Sequence, residues 1–216
     1  MKVIEIFKSI NGEGLKSGLL SVFVRFEGCN LRCPYCDTKY SYINAKYKEM
    51  SQDEIINYID NSNVLNVTLT GGEPLLQDGI FDLIKKLTKK GYNVEIETNG
   101  SIDISNYKKF KNVFVTLDYK TPSSKMEAKM NLDNYKFIDK NDVVKFCCGT
   151  KEDLLKAKEI IKKYKLEEYT NPFISPIYGE INLEEIVEFL KDNDLVNTRL
   201  QLQIHKIIWD KDKRGV

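Results

Sequence analysis

The sequence predicts a single α/β domain built around a largely parallel β-sheet. Short apolar segments with the periodicity of strands alternate along the chain with segments that have the periodicity of helices. Strands separated by helices are joined by right-handed crossovers, which leave neighbouring strands parallel. No long Gly/Ser/Pro linker, repeat or low-complexity tract interrupts the alternation, so one domain is expected over residues 1–216. An incomplete (β/α) barrel and an open doubly wound sheet both satisfy these observations.

The individual elements follow from local patterns. The strand 22–28 leads into a loop rich in cysteine, and an S-x-x-E capping box at Ser51 begins a helix that runs to about residue 59. Gly91 ends a helix over 76–90. Further strands are predicted at 66–70, 93–98, 112–117, 142–147, 171–175 and 198–204, and further helices at 150–164 and 182–192. Several strands are apolar at nearly every position, which is expected when both faces of the sheet are covered.

Each polar or glycine-rich loop directly follows a predicted strand. The carboxyl ends of parallel strands meet at one edge of the sheet, where ligands bind in folds of this class. We therefore expect a ligand cleft formed by the cysteine loop 28–38 and by the loops 70–74, 97–101, 118–125, 148–150 and 175–180.

Composition and charge narrow the classes of function. Lys and Arg total 33 against 32 Asp and Glu, and the net charge of +1 gives no reason to expect a nucleic acid or a membrane as a partner. The apolar run that ends at Arg25 is too short to span a membrane. Glu5 and Lys8 interrupt the N-terminal apolar stretch, which is untypical of a secretory signal. We therefore expect a cytoplasmic protein whose cysteines stay reduced.

Three of the five cysteines form the pattern C-x3-C-x2-C, at Cys29, Cys33 and Cys36. A structural zinc site needs four ligands, and no fourth cysteine or histidine lies at zinc-finger spacing. A redox pair of the last two cysteines leaves the first without a role. An iron–sulfur cluster held by three thiolates keeps one iron open for an outside ligand. Cys147 and Cys148 are interpreted as small buried hydrophobic residues on opposite faces of a strand.

These motifs resemble those of a known superfamily. C-x3-C-x2-C with Tyr35 before the last cysteine is similar to the signature of radical S-adenosylmethionine (SAM) enzymes, and "GGEP" at 71–74 resembles their second motif. The segments "FKSINGEGLKSG", "CPYCDT", "ETNGS", "TPSSKM" and "HKIIWDKDKRGV" narrow the resemblance to the 7-carboxy-7-deazaguanine synthase family. The resemblance implies a compact, incomplete (β/α) barrel of the radical SAM type with mostly parallel strands.

The resemblance also implies a reaction. Members of this family convert 6-carboxy-5,6,7,8-tetrahydropterin to 7-carboxy-7-deazaguanine, with loss of ammonia, in queuosine and 7-deazapurine biosynthesis. A [4Fe–4S] cluster, SAM and Mg²⁺ are the implied cofactors. SAM is recycled after its 5′-deoxyadenosyl radical has removed a hydrogen from the pterin. An electron donor such as flavodoxin or ferredoxin and a homodimeric assembly are implied as well.

Two residues are expected to bind the substrate carboxylate, Arg25 and His205. Arg25 interrupts an apolar strand in a chain that has only four arginines among 33 basic residues, and a buried guanidinium needs an anion. The alternative for Arg25 is a structural ion pair with Glu27 or another acid, and for His205 a backbone contact at a strand end. The family resemblance adds substrate contacts at Ile10, Asn11, Gly12, Glu13, Thr70 and Val216, with the C-terminal segment covering the pocket.

The other expected site residues also come from the resemblance. Gly72 and Glu73 hold the methionine end of SAM, and Thr38, with Asp37 as its rival, binds Mg²⁺. Further cofactor contacts are expected at Glu97, Asn99, Asp118, Tyr119, Lys120, Ser175, Pro176, Ile177 and Tyr178. The family commonly has Gln-Gly-Glu-Gly where this chain has "NGEG", so residue 11 contacts the substrate either through a shorter side chain or through its backbone. No side chain is assigned as a general acid or base.

Two other functions remain open from the sequence. A glycyl-radical-enzyme activase shares the cysteine motif and the compact size, but it must hold a protein loop rather than a small molecule. A non-catalytic zinc or iron–sulfur module is the alternative of a different class. Metal analysis and a visible spectrum of anaerobically purified protein distinguish a cluster from zinc.

Overall fold

The computed structural model describes all 216 residues and contains one nine-stranded sheet. Its strands lie in the order β3-β1-β2-β4-β5-β6-β7-β8-β9. β1 pairs antiparallel with β2 and β3, and every pair from β2–β4 to β8–β9 is parallel. The strands are β1 Lys2–Ile10, β2 Leu20–Phe26, β3 Lys48–Glu49, β4 Asn66–Gly71, β5 Asn93–Thr98, β6 Val113–Tyr119, β7 Val143–Cys148, β8 Asn171–Pro176 and β9 Arg199–Leu200.

Helices cover one side of this sheet. They are α1 Gln52–Asp60, α2 Ile80–Lys89, α3 Lys151–Tyr164 and α4 Leu183–Asp192. The short α5 His205–Ile208 buries no residue in the core, and its first residue lines the pocket described below. The expected capping box at Ser51 begins α1, with the side chain of Glu54 bonded back to the cap. α2 begins four residues later than predicted, because Pro74–Leu76 forms a separate 3-10 turn and Gly79 has a left-handed φ of 78°. None of the helices has both the length and the apolar character needed to cross a membrane.

The hydrophobic core lies between the helices and the outer face of the sheet. Fully buried side chains of α1, α2 and α3 pack there against the apolar residues of β2 to β8; examples are Ile59, Leu83, Leu154, Val94 and Phe146. Burial of apolar surface on this scale is the main source of stability in a domain of this size.

The strands are uniformly apolar on one face only, and the other face combines polar side chains with a few aromatic rings such as Phe7 and Phe23, which corrects the expectation of strands that are apolar on both faces. In β5, Val94 and Ile96 are buried in the core, whereas Glu95 and Glu97 point to the opposite face. Strand side chains alternate between the two faces of a sheet. The face opposite the helices is therefore mainly polar, and it is this face that forms the walls of the site described below.

The last predicted strand is mostly wrong. Only Arg199–Leu200 pairs with β8, and the chain then leaves the sheet. The backbone N–H of Ile204 bonds to the carbonyl oxygen of Gly12 at 3.1 Å, and Gly14 N–H bonds to Gln201 Oε1 at 3.1 Å. The segment after β9 thus contacts the loop after β1, and the sheet itself stays open.

Candidate active site

A pocket of about 650 Å³ opens at the carboxyl ends of the parallel strands. It collects all but three of the residues that the sequence proposed for binding. They are Ile10, Gly12, Glu13, Arg25, Cys29, Cys33, Cys36, Thr38, Thr70, Gly72, Glu97, Asn99, Asp118, Lys120, Ser175, Pro176, Ile177, Tyr178, His205 and Val216. The side chains of Asn11, Glu73 and Tyr119 lie elsewhere, as described below.

The cysteine loop follows β2 and is held by several backbone contacts. Gly28 N–H bonds to the carbonyl oxygen of Ser41 at 2.8 Å, which closes the loop on itself. The guanidinium of Arg32 bonds to the carbonyl oxygens of Cys29 at 2.6 Å and Leu31 at 2.7 Å, and it lies over the ring of Tyr42. This planar cation therefore fixes the turn between the first two cysteines, a use to which lysine is less suited.

The three thiols of this loop fit an iron–sulfur cluster better than a single metal ion. Cys29, Cys33 and Cys36 are all free and all line the pocket. No three metal-ligating side chains of the chain converge on one point, as the ligands of a zinc ion must. In a [4Fe–4S] cluster each thiolate binds a different iron, so the sulfur atoms stand apart. Burial raises the pKa of Cys33 to about 11, so cluster binding must displace a proton from this thiol.

The "GGEP" loop packs directly against the cysteine loop. A Cβ added to Gly72 would collide with the carbonyl oxygen of Gly28 and would lie 2.8 Å from Cys29 Cβ. Glycine is therefore required at position 72 for the close approach of two backbones, as well as for any approach of a ligand.

The carboxylate of Glu73 has a different position from the one expected. It is fully buried below the pocket and accepts hydrogen bonds from Asn99 N–H at 2.7 Å, Leu75 N–H at 3.1 Å and the Thr98 hydroxyl at 2.9 Å. Burial raises the pKa of Glu73 to about 7, although these hydrogen bonds oppose the rise. In this structure the side chain orders the 98–101 loop and does not line the pocket, whereas the neighbouring Gly72 does.

The 118–120 segment contributes two of its three side chains to the pocket. Lys120 Nζ pairs with Asp118 Oδ2 at 2.8 Å, and the second oxygen of Asp118, Oδ1, is buried without a protein partner. Tyr119 was expected to contact the cofactor, but its side chain faces the core and its hydroxyl donates to Glu127 at 2.9 Å. Alternation along β6 explains the difference.

A second ion pair, largely shielded from water, lies beside the first, because Lys145 on β7 is the neighbour of Asp118 on β6. Lys145 Nζ lies 3.1 Å from Glu13 Oε2, and the Ser175 hydroxyl donates to Glu13 Oε1 at 3.2 Å. The loop after β8 continues the pocket wall through Pro176, Ile177 and the exposed Tyr178.

Arg25 lies in the pocket wall and is paired with an acid that the sequence did not single out. Its Nε donates to Glu5 Oε1 at 2.7 Å, whereas Glu27 is paired with Lys2 at 4.0 Å. The two terminal nitrogens of Arg25 have no protein acceptor, so they remain available to a ligand.

His205 comes close to the "NGEG" turn, although it begins a short helix and does not end a strand. A Cβ at Gly12 would collide with the imidazole of His205, so the two residues are in contact. Burial lowers the pKa of His205, which favours the neutral ring.

The side chain of Asn11 points away from the pocket and is buried. Its Nδ2 donates to Glu95 Oε2 at 2.9 Å, and its Oδ1 accepts from the Thr68 hydroxyl at 3.3 Å. The sequence left open whether residue 11 contacts the substrate through its side chain or through its backbone. With the side chain buried, only the backbone is available in this structure.

Glu97, Asn99 and Thr70 line the floor of the pocket. Burial, with the neighbouring Glu95, raises the pKa of Glu97 to about 7. The Asn99 amide contacts the cysteine loop 28–38, or cluster loop, where it donates to Asn30 Oδ1 at 2.9 Å and lies 3.7 Å from Cys29 Sγ. The loop after β5 thus contacts both the cysteines and the polar interior of the sheet.

Thr38 lies at the end of the cysteine loop. Its hydroxyl donates to Asp37 Oδ1 at 2.8 Å, and Asp37 Oδ2 lies 3.0 Å from Lys206 Nζ. Both oxygens of Asp37 thus have protein partners, which leaves Thr38 as the less engaged of the two candidate Mg²⁺ ligands.

Several pocket residues were missed by the sequence reading. The rings of Phe7 and Phe23 stack at 5.2 Å on the wall beside Arg25, and Lys145 and Cys147 enter from β7. Cys148 is fully buried in the core as expected, but Cys147 points into the pocket. The alternation of polar residues along each strand is the signal that identifies these positions.

Comparisons with known proteins agree with this arrangement. The sequence profile of the Radical SAM superfamily matches residues 23–192. The 7-carboxy-7-deazaguanine synthase of Clostridium acetobutylicum is 55% identical over 218 aligned residues, which cover 100% of this chain and 99% of that protein. The synthase of Methanospirillum hungatei is 38% identical over 96% of this chain and 85% of that protein.

A solved structure shows the same fold. The crystal structure of QueE from Escherichia coli matches with a TM-score of 0.75 and 22% identity, over 94% of this chain and 93% of that one. The predicted radical SAM fold with mostly parallel strands is confirmed, in its open form.

Proposed function

Since the chain belongs to the Radical SAM superfamily and, within it, to the 7-carboxy-7-deazaguanine synthase family, we propose that its pocket converts 6-carboxy-5,6,7,8-tetrahydropterin to 7-carboxy-7-deazaguanine with loss of ammonia. The observation that carries this proposal is that the three cysteines, the Gly72 loop and Arg25 all line one pocket. A cluster with its cofactor and an anionic substrate would then lie side by side.

The cofactor half of the pocket is its cysteine side. Cys29, Cys33 and Cys36 would hold the [4Fe–4S] cluster, and the backbone at Gly72 would receive the methionine end of SAM. When bound, these groups supply the 5′-deoxyadenosyl radical chemistry of the superfamily. Asp118 and Lys120 lie beyond the cysteines and would contact the remainder of SAM, since Asp118 Oδ1 is a buried acceptor without a partner.

The substrate half of the pocket has the charges that a carboxylated pterin requires. Arg25 presents two unpaired terminal nitrogens to the pocket, and a guanidinium fork binds a carboxylate through two parallel hydrogen bonds. His205 would donate one further hydrogen bond, and Thr70 and the backbone of Ile10 to Gly12 would contact the ring. The carboxylate of Glu13 offers an acceptor to the N–H groups of the pterin. These side chains orient the substrate, and none is needed as a general acid or base.

Four further features complete the proposal. Thr38 would bind Mg²⁺ together with substrate oxygens and water, since Mg²⁺ often takes only one or two protein ligands. A small electron-transfer protein such as flavodoxin or ferredoxin would reduce the cluster. The enzyme would work as a homodimer, and in the cytoplasm, where thiols stay reduced.

Two observations weigh against the alternative functions. The C-terminal residues 211–216 line the pocket, as expected for a segment that covers a small-molecule site, whereas an activase must hold a protein loop there. A zinc module is disfavoured because the cysteine motif supplies three thiolates with no fourth ligand at zinc-finger spacing, whereas a structural zinc site needs four.

The proposal is tested with reconstituted enzyme under anaerobic conditions. The protein is incubated with dithionite, SAM, Mg²⁺ and 6-carboxy-5,6,7,8-tetrahydropterin, and the deazapurine is detected by chromatography and mass spectrometry. We expect product only when all components are present. Cleavage of SAM without formation of 7-carboxy-7-deazaguanine would contradict the substrate assignment and leave the superfamily assignment intact.

A further inference from the structure

We propose that Glu5 is a positioning residue that orients Arg25 for the substrate carboxylate. The inference deepens the proposed function and rests on its assignment of Arg25 to that carboxylate. It is carried by a break in the register of β1 and by the way in which the oxygens of Glu5 are shared among three segments of the chain.

The register of β1 shows that Glu5 has been turned toward the pocket. Val3 pairs with Phe26 and Glu5 pairs with Arg25, so two residues advance on β1 while one advances on β2. Val3 and Phe26 both face the core, and regular alternation would return Glu5 to the core with them. The bulge at Ile4 instead places Glu5 on the pocket face, directly opposite Arg25. Bulges commonly redirect a side chain beside an active site.

The contacts of Glu5 hold only one side of the Arg25 guanidinium. Oε1 accepts from Arg25 Nε at 2.7 Å and from the Tyr40 hydroxyl at 3.2 Å, while Oε2 faces Arg214 Nη2 at 3.4 Å. Because Oε2 is directed to the C-terminal segment, Glu5 does not form a second bond to Arg25. The terminal nitrogens of Arg25 therefore remain paired in one plane as a fork for another carboxylate.

The same contacts link the substrate site at Arg25 to the C-terminal segment that lines the pocket. Arg214 lies over the ring of Tyr40 at 3.8 Å, and Tyr40 follows directly after the cluster loop. Glu5 thus links Arg25 on β2, the end of the cluster loop and the C-terminal segment. With side-chain exposures of 18% for Arg25 and 16% for Glu5, the pair is well shielded from water, so its geometry is strongly constrained.

Orientation and charge act in opposite directions on an anionic ligand, and this allows the role of Glu5 to be tested. The negative charge of Glu5 repels a substrate carboxylate, whereas its hydrogen bond aims the guanidinium at that carboxylate. Glu5→Asp keeps the charge but shortens the reach by one methylene, so it removes orientation alone. Glu5→Gln keeps the reach and one acceptor oxygen. We therefore expect Glu5→Asp to weaken binding of the carboxylated pterin more than Glu5→Gln does.

The experiment compares two ligands on the reconstituted holoenzyme with SAM bound. The ligands are 6-carboxy-5,6,7,8-tetrahydropterin and 5,6,7,8-tetrahydropterin, which lacks the carboxylate, and their Kd values are measured by anaerobic equilibrium dialysis. Glu5→Asp should raise the Kd of the carboxylated pterin about tenfold, the loss of roughly one charge-assisted hydrogen bond, and leave that of tetrahydropterin within about twofold. Glu27→Gln, which alters a partly exposed acid paired with Lys2 and outside the pocket, is the control and should change neither value.

Each other outcome has a distinct meaning. Equal weakening of both ligands by Glu5→Asp, or no weakening of either, overturns the positioning role. Weaker binding of the carboxylated pterin by Glu5→Gln than by Glu5→Asp overturns it as well, because reach would then not be the property that matters. If the wild-type enzyme binds both ligands equally well, the proposed assignment of Arg25 to the carboxylate fails, and the inference fails with it.

Discussion

The backbone N–H of Glu73 donates a hydrogen bond of 2.8 Å to the carbonyl oxygen of Gly28, the residue that precedes the first cysteine of the cluster loop. Gly72 lies against the same carbonyl group, at a distance that admits no side chain. The loop expected to bind SAM and the loop expected to bind the cluster are therefore one packed unit. A change in either loop should affect both ligands.

Gly72→Ala tests this coupling. The new Cβ would displace Gly28 and Cys29, so we expect reconstitution to yield less iron per chain and SAM affinity to fall at least about tenfold, the effect of a 1.4 kcal/mol loss. Iron analysis and SAM binding by equilibrium dialysis measure the two effects. Gly91→Ala is the control: it adds a side chain at a positive φ of 88°, a backbone strain that Gly72 does not have, but with open space around it, so it reports a destabilising glycine substitution without a collision at the site. Full iron content with unchanged SAM affinity in Gly72→Ala would contradict the coupling.

The assignment of the cluster ligands is tested by five single Cys→Ala variants. Substitution of Cys29, Cys33 or Cys36 should abolish reconstituted iron, its visible absorption and activity, because a cluster held by three thiolates has no substitute ligand nearby. Cys147 and Cys148 variants should keep the iron content of the wild type, since neither is part of the loop. Loss of iron in the Cys147 variant would show that a pocket thiol outside the motif serves as a ligand.

Much of this architecture follows from local sequence patterns. The parallel strands, the crossover helices and the placement of the functional loops at one edge depend on periodicity and capping, which act over a few residues. The polar inner face was missed because the strands that are apolar at nearly every position were taken as typical of the sheet, whereas in β5 Val94 and Ile96 alternate with Glu95 and Glu97.

The remaining differences depend on contacts between distant parts of the chain. The pairing of Glu5 with Arg25 depends on a bulge, which no residue type in β1 announces. The early end of β9 depends on the bond from Ile204 to Gly12, residues that lie far apart in the sequence. Burial of the Glu73 carboxylate likewise depends on a loop that follows the next strand.

Asn11 should contribute mainly to stability, because its amide bonds to a buried carboxylate. Asn11→Ala removes the donor to Glu95 Oε2, and we expect a loss of about 1–3 kcal/mol in the free energy of unfolding, measured with urea on the cluster-free protein. Asn197→Ala, at an exposed position whose side chain makes no hydrogen bond, is the matched control.

The stability loss in Asn11→Ala should depend on pH. Burial raises the pKa of Glu95, and the bonds from Thr116 and Asn11 oppose the rise. Removing the Asn11 bond raises the folded-state pKa of Glu95 further, which disfavours the ionised folded form. The loss should therefore be largest at neutral pH and above, and should shrink as pH falls and Glu95 becomes protonated in both states. A loss that is equal at pH 4 and pH 8 would contradict this explanation.

Thr38→Ala tests the proposed Mg²⁺ site. We expect the stimulation of activity by Mg²⁺ to fall several-fold. A Mg²⁺ site with only one or two protein ligands depends strongly on each of them, and this variant removes one oxygen ligand. The assay is product formation over a range of Mg²⁺ concentrations. Asp37→Asn removes the rival carboxylate that is paired with Lys206, and it should keep most of the stimulation. If Asp37→Asn reduced the Mg²⁺ stimulation more than Thr38→Ala did, the Mg²⁺ ligand would be Asp37 instead.

Arg25→Lys tests the carboxylate site itself. Lysine keeps the positive charge and can still meet Glu5, but it supplies a single nitrogen where Arg25 offers Nε to Glu5 and a separate pair of nitrogens to the pocket. The variant should weaken binding of the carboxylated pterin by about 1–3 kcal/mol, the scale of a charge-assisted hydrogen bond. SAM affinity should stay unchanged, because the cluster loop and Gly72 keep their contacts. Arg199→Lys, on β9 and outside the pocket, is the matched control. Normal pterin binding by Arg25→Lys, or weakening confined to SAM, would remove Arg25 from the substrate site.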